Sequence, residues 1–306
     1  WLKRVITMVF QEESRASWFW PLRRSTSLKD EDSKGDEVEA DQWETERGFD
    51  IADHMEKGLA RELVTDFMQP LKRSSRLWRF HVVRSEDKLQ YRLFSDDGDF
   101  LLFARVSLEA RLVSFFLYNP SDREGALFDP SRPAFTMTYS EAKSEWRLTQ
   151  ERCELCRYSR ALLSCSCHGK QQVGFARHSR RPIGDGIVNC IDAYIPGLYS
   201  DGGRVIWCPL LGKGDLAAPA DGSMEVQRLI TRTPQWNEDV DCLVLSFKGR
   251  NIVSSAKNFQ LALKQKPEHV ICQFGKIGRS TFGLDFRYPL SVIQAFAFSM
   301  TTIFWA

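Results

Sequence analysis

The sequence predicts a mainly β protein: a closed barrel threaded by one apolar helix at the C-terminal end. Three observations carry the prediction. From residue 78 to residue 286 apolar residues recur with period two in short runs; turn clusters such as SDDGD, NPSD and DPSRP separate those runs; and YPLSVIQAFAFSMTTIFWA (288–306) is apolar on every side. A helix with no polar face is either membrane-spanning or enclosed by protein. The stretch after Pro289, about 17 residues, sits on the lower border of a span, and Gln294, Ser299, Thr301 and Thr302 within it favour enclosure. A chain of 306 residues with 43% apolar and 12% aromatic content has a core to build, which excludes wholesale disorder, collagen and coiled coil.

In chain order, residues 1–48 read as a linker. Residues 1–26 carry five Lys/Arg against two Asp/Glu, residues 27–46 two against nine, and the acidic part has no apolar period to organise it. WFWPLRR (18–24) suits a membrane interface, but a solvated tail whose aromatics dock on the domain is the favoured reading. Trp1 in place of Met, and an opening apolar run too short for a signal peptide, lead us to expect a start inside a longer chain. From Asp50, Ile51, Met55, Leu59 and Leu63 form one stripe of an amphipathic helix, assigned to 49–65 and stopped before Pro70. The folded domain is expected over 66–306. Its expected strands are 78–83, 89–94, 100–106, 111–118, 134–139, 186–195, 204–211, 241–247, 269–277 and 281–286, with the closing helix over 288–304.

Two long motifs then point to a family. TRTPQWNEDVDCLVLSFKGRNIVSSAKNFQL (231–261) and VICQFGKIGRSTFGLDFRYPLSVIQAFAFSM (270–300) resemble, in order, the two signatures of the tubby family; weaker likeness runs upstream through CHGKQQVGF, FLLFAR and FMQPLKRSSRLWRFHVV. The closing TTIFWA departs from the Cys-Glu ending usual there. The resemblance covers roughly 66–306 and implies a twelve-stranded antiparallel barrel around a central helix. It also implies a non-enzymatic, membrane-associated adaptor or regulator that binds phosphoinositide headgroups, above all phosphatidylinositol 4,5-bisphosphate.

A bisphosphorylated inositol needs converging cations, Arg for its bidentate fork and Lys as a point charge. The family pocket uses an Asn, a Lys-x-Arg pair and a further Arg. Carried onto this chain, the further Arg falls on Arg160, the pair on Ala126 and Phe128, and the Asn near Phe115. Arg123 and Arg132 flank the gap and are the candidates for replacement charge. A second basic run, GFARHSRRP (174–182), is read as a loop whose Arg177, His178, Arg180 and Arg181 face an anionic membrane surface, the alternative being an ordinary solvated loop.

Other chemistry is poorly represented. CELC and CSCH bring Cys153, Cys156, Cys165 and Cys167 near one another, but the second spacing is wrong for a zinc knuckle, and buried thiols are the favoured reading over zinc. The eight cysteines are too sparse for a disulfide scaffold and suggest reduced thiols inside a cell. Neither GxSxG nor a P-loop appears, so no enzyme and no cofactor are expected. Aromatics do not interleave with the arginines, which disfavours nucleic acid. The expectation is a monomer, with an unidentified protein partner, at the cytoplasmic face of the plasma membrane or in the cytosol, the nucleus being the other compartment open to it. The competing function is a protein-interaction or transcription-regulatory module that has lost lipid binding.

Overall fold

The computed structural model describes residues 60–117, 133–151, 170–183, 186–200, 202–208, 213, 215–216, 225–237, 242–247 and 249–305. A helix, α1 (Ala60–Met68), precedes strands β1 (Trp78–Arg84), β2 (Gln90–Ser95), β3 (Phe100–Ser107), β4 (Leu112–Leu117), β5 (Phe135–Tyr139) and β6 (Glu145–Gln150). There follow β7 (Gln171–Ile183), β8 (Gly186–Pro196), β9 (Val226–Thr231), β10 (Gln235–Asn237), β11 (Cys242–Val244), β12 (Phe259–Leu263), β13 (Lys266–Lys276) and β14 (Thr281–Phe286). Helix α2 (Val292–Met300) and a 3-10 turn (Thr301–Phe304) finish the fold.

Twelve strands close an antiparallel barrel in the order β1-β14-β13-β12-β9-β8-β7-β6-β5-β4-β3-β2, and β10 and β11 pair in a separate two-stranded sheet. Closure runs through β1 and β14, from Trp78 opposite Phe286 to Val83 opposite Thr281. The wall therefore has no free edge. Alternation decides which side chains point inward: in β4, Val113 and Phe115 enter the core while Ser114 faces out, as a strand's period of two requires.

All nine residues of α2 are buried, and Phe115 meets Phe296 edge-on at 5.6 Å between ring centroids. The polar groups that the sequence places in this helix are all satisfied. Ser291 is the N-cap, in a capping box with Gln294, and Gln294 Nε2 also donates to the Val173 carbonyl at 2.9 Å. Ser299, Thr301 and Thr302 donate to carbonyls three residues back, at 2.7 to 2.8 Å. At the far end Lys257 Nζ donates to the carbonyls of Thr302, Ile303 and Trp305 at 2.8, 3.0 and 2.6 Å, filling positions that a helix leaves open. No helix among the described residues is long and apolar enough to cross a membrane.

Four sequence expectations shift. The closing helix starts at Val292, because Ser291 caps it and Pro289 lies in the preceding turn. Residues 204–208 of the expected strand 204–211 make only isolated bridges, Arg204 to Leu198 and Trp207 to Gln172. They lie over the outer wall, where Val205 and Trp207 bury against Phe175 and Leu216 as a second small core. The strand expected at 241–247 contributes β11, outside the barrel. Helix α1 runs past residue 65 to Met68 and buries Phe67 and Met68 against the barrel core; the rest of the 49–65 expectation lies outside the described residues, as does the 1–48 linker.

Candidate functional site

The basic run read as a loop is instead the strand β7. Pairing of β7 with β8 continues from Phe175 opposite Tyr194 to Ile183 opposite Gly186, whereas β6 stops at Arg177 and β9 at Asp192. Among the described residues, the two strands pair past His178 and Ile191 only with each other, so a hairpin projects beyond the barrel rim. At about 3.4 Å per residue, Ser179–Ile183 reach out roughly 14 Å. A small apolar cluster of Val188, Cys190 and Ile183 stiffens it, and Ile187 is 64% exposed.

The four candidate residues of this run are not equivalent. Arg177 donates to Glu145 Oε1 from Nε and Nη2, at 3.3 and 3.1 Å. Arg181 lies 4.0 Å from Asp192, a carboxylate that also accepts from Arg228 at 3.1 Å. Arg180 is exposed and meets no acid among the described residues. His178 is a correction, because it is not a surface cation. Its ring stands 5.9 Å from Trp146 and 5.1 Å from Trp305, and the Trp305 indole N–H donates to its Nδ1 at 3.2 Å. Burial pushes its pKa down to about 4, so the imidazole is neutral near pH 7.

A second polar constellation crosses β1, β12, β13 and β14. Arg250 grips Asp285, which is 2% exposed, with Nε 3.1 Å from both carboxylate oxygens and Nη2 2.6 Å from Oδ1. Arg250 also donates to the Phe80 carbonyl at 3.2 Å, and its Nη1 lies 3.1 Å from His81 Nε2. Gln273 Nε2 donates to Asp285 Oδ2 at 2.8 Å, Gln260 Nε2 to the Ser246 carbonyl at 2.7 Å, and Arg232 to Gln260 Oε1 at 2.9 Å. Gly283 keeps this grip open: a Cβ there would stand 3.2 Å from Arg250 Nε. These groups saturate one another, so the constellation staples the excursion between β9 and β12 to the wall and leaves little capacity for a ligand.

The Tub family model matches residues 179–303, the stretch that contains the projecting hairpin, the staple and α2. The chain is 33% identical over 152 residues to Tubby-like F-box protein 5 of Oryza sativa subsp. japonica, covering 46% of this chain and 36% of that protein. It is 45% identical over 101 residues to Tubby protein homolog 1 of Caenorhabditis briggsae (32% and 24%) and 37% over 110 residues to Tubby-related protein 1 of Mus musculus (35% and 20%). Over residues 179–303 the chain matches the tubby family. The matches span about a third or less of those tubby relatives' own lengths.

The match accounts for the legibility of the signature: Arg232, Arg250, Gln260, Gln273 and Asp285, all in the two tubby-like motifs, are the staple. The headgroup candidates Arg123, Arg132 and Arg160 lie outside the described residues, as do Cys153, Cys156, Cys165 and Cys167. Phe115, near which the family's Asn falls, has its side chain in the core against α2.

Proposed function

We propose that this tubby-family chain is a non-enzymatic, phosphoinositide-responsive peripheral membrane adaptor with a divergent headgroup pocket. It acts as a monomer at the cytoplasmic face of the plasma membrane and carries a protein partner of unidentified kind. Arg160, Arg123 and Arg132 remain its proposed headgroup residues, and Arg177, Arg180 and Arg181 its surface cations. The observation that carries the reading is the projecting β7–β8 hairpin, where Arg180 and Arg181 are exposed beside Ile187. Cations next to an apolar residue on a projection suit the headgroup zone of an anionic bilayer, each cation contributing about 1 kcal/mol near the surface.

The neutralisation of Arg177 by Glu145 and the sharing of Asp192 by Arg181 and Arg228 favour a second reading, a protein-interaction or transcription-regulatory module without lipid binding. Vesicle cosedimentation separates the two. Vesicles with phosphatidylinositol 4,5-bisphosphate are expected to sediment the protein better than phosphatidylserine vesicles of equal charge, with the binding weakened by salt and reduced at least fivefold in Arg180→Glu/Arg181→Glu. Absence of vesicle binding at low salt leaves the second reading.

A further inference from the structure

The run LKRSSRLWR (71–79) carries Lys72, Arg73, Arg76 and Arg79 without an acid among them, and neither the headgroup candidates nor the hairpin involve it. The fold makes it an ordered strap between α1 and β1. Pro70 bridges Ser291, the Leu71 amide donates to the Leu290 carbonyl at 3.2 Å, and Leu71 is buried. Arg287 ties the strap to β13, its Nη1 donating to the Ser75 carbonyl and its Nε to the Val270 carbonyl, both at 2.9 Å. Arg73 rests on Tyr288, with its guanidinium carbon 4.6 Å from the ring centroid and its Nη2 donating to the hydroxyl at 3.2 Å.

All four cations are exposed, and Trp78 beside them is 48% exposed. Among the described residues no carboxylate pairs with any of the four, whereas Arg147, Arg177, Arg228 and Arg250 each have one. Like charges this close repel, and a backbone already fixed presents them at a lower ordering cost to the anion that relieves the repulsion. The complement lies on the same chain. Residues 27–46 carry nine Asp/Glu against two Lys/Arg, with Val38 and Trp43 as apolar residues to meet Trp78. Reach is no obstacle: counted even as helix at about 1.5 Å per residue, residues 47–68 span roughly 33 Å, less than the roughly 68 Å that residues 27–46 cover when extended. Sharing a chain raises the effective concentration to the order of millimolar, at which individually weak surface pairs add up to an occupied contact.

We propose that this strap is a docking surface for an acidic polypeptide and that its occupant is the chain's own segment 27–46. The contact is intramolecular, is built from opposite charge around Trp78, and covers the strap against other polyanions. It involves none of the positions that the family resemblance assigns to its pocket, and it stands apart from the function proposed above.

The test uses the full chain and a carbodiimide, which condenses a carboxylate with a neighbouring amine to an amide; the links are mapped by mass spectrometry in the monomer band. Lys72 is expected to join carboxylates of residues 27–46, with a yield that falls as salt is added. Arg73→Glu/Arg76→Glu is expected to lower that yield at least fivefold while leaving links at Lys88, at the far end of β1, unchanged. The substituted side chains are exposed, so an unchanged thermal midpoint certifies the fold of this variant. Asp36→Asn/Glu37→Gln/Glu39→Gln leaves the barrel untouched and is expected to lower the Lys72 links to the remaining carboxylates of the segment. No link between Lys72 and residues 27–46 at low salt overturns the proposal. So does an equal yield in the parent and both variants, which would mean that tethering alone brings carboxylates past Lys72. Links confined to the dimer band overturn the intramolecular occupant and assign the strap to the segment of a second copy.

Discussion

His178 shows how one side chain is recruited away from the surface role its neighbours suggest. With Nδ1 accepting from the Trp305 indole, protonation would set one donor against another inside an aromatic stack. Its folded pKa of about 4 lies below the ordinary value of 6.5, so between these values the unfolded chain binds more protons than the folded one. The contribution of His178 is therefore complete above pH 6.5 and lost as pH falls toward 4. The expected loss is up to about 3 kcal/mol, discounted for partial exposure. Urea midpoints measured from pH 7 to pH 4 should fall more steeply for the parent than for His178→Phe; parallel curves would show that other groups govern acid lability. The strap before β1 was illegible in the sequence for a different reason. Its cations lie in a run that reads only as the approach to a strand, and its anchors Arg287 and Leu290, more than two hundred positions later, are brought to it by the fold alone.

At the scale of elements, α2 is held from both ends by different chemistry, a capping box at Ser291 and a lysine at the carbonyl end. Burial pushes the Lys257 pKa down to about 8, with Arg84 and Lys88 adding to the effect, so the three carbonyl contacts offset a real desolvation penalty. Lys257→Met is expected to cost about 1–3 kcal/mol by orphaning buried carbonyls. A urea midpoint equal to that of the parent would mean that water replaces the amine. Strand texture was readable wherever a wall faced one core, as in β1 and β2. It misled in two places. Arg177, Arg180, Arg181 and Pro182 look like loop chemistry, yet they belong to a hairpin that has left the barrel and faces solvent on most sides. Val205 and Trp207 look like a strand because they are apolar, but the surface they bury is the outside of β7, where Phe175 waits beneath them. Pattern reports burial, and burial has two sources here.

For the molecule as a whole, one core cluster takes residues from nearly every barrel strand and from both α2 and α1, so the barrel should unfold as a unit. Ala297 sits at its centre with no exposure. Ala297→Asp places an unpaired charge there, at a cost of several kcal/mol against a total stability of about 5–15 kcal/mol, and is expected to abolish soluble, cooperative folding. A variant whose circular dichroism and tryptophan fluorescence still melt together would show that α2 is not the keystone. The placement of α2 at the centre also governs the order of events during synthesis. Every strand of the wall leaves the ribosome before the helix that fills it, and β1 must wait for β14, some two hundred residues later, before the last seam can form. Until then the nascent chain holds apolar strand faces with nothing to cover them, the state in which chains are most prone to aggregate. Folding of this barrel accordingly waits for α2 to emerge, and a nascent chain stalled before residue 292 should remain bound to chaperones.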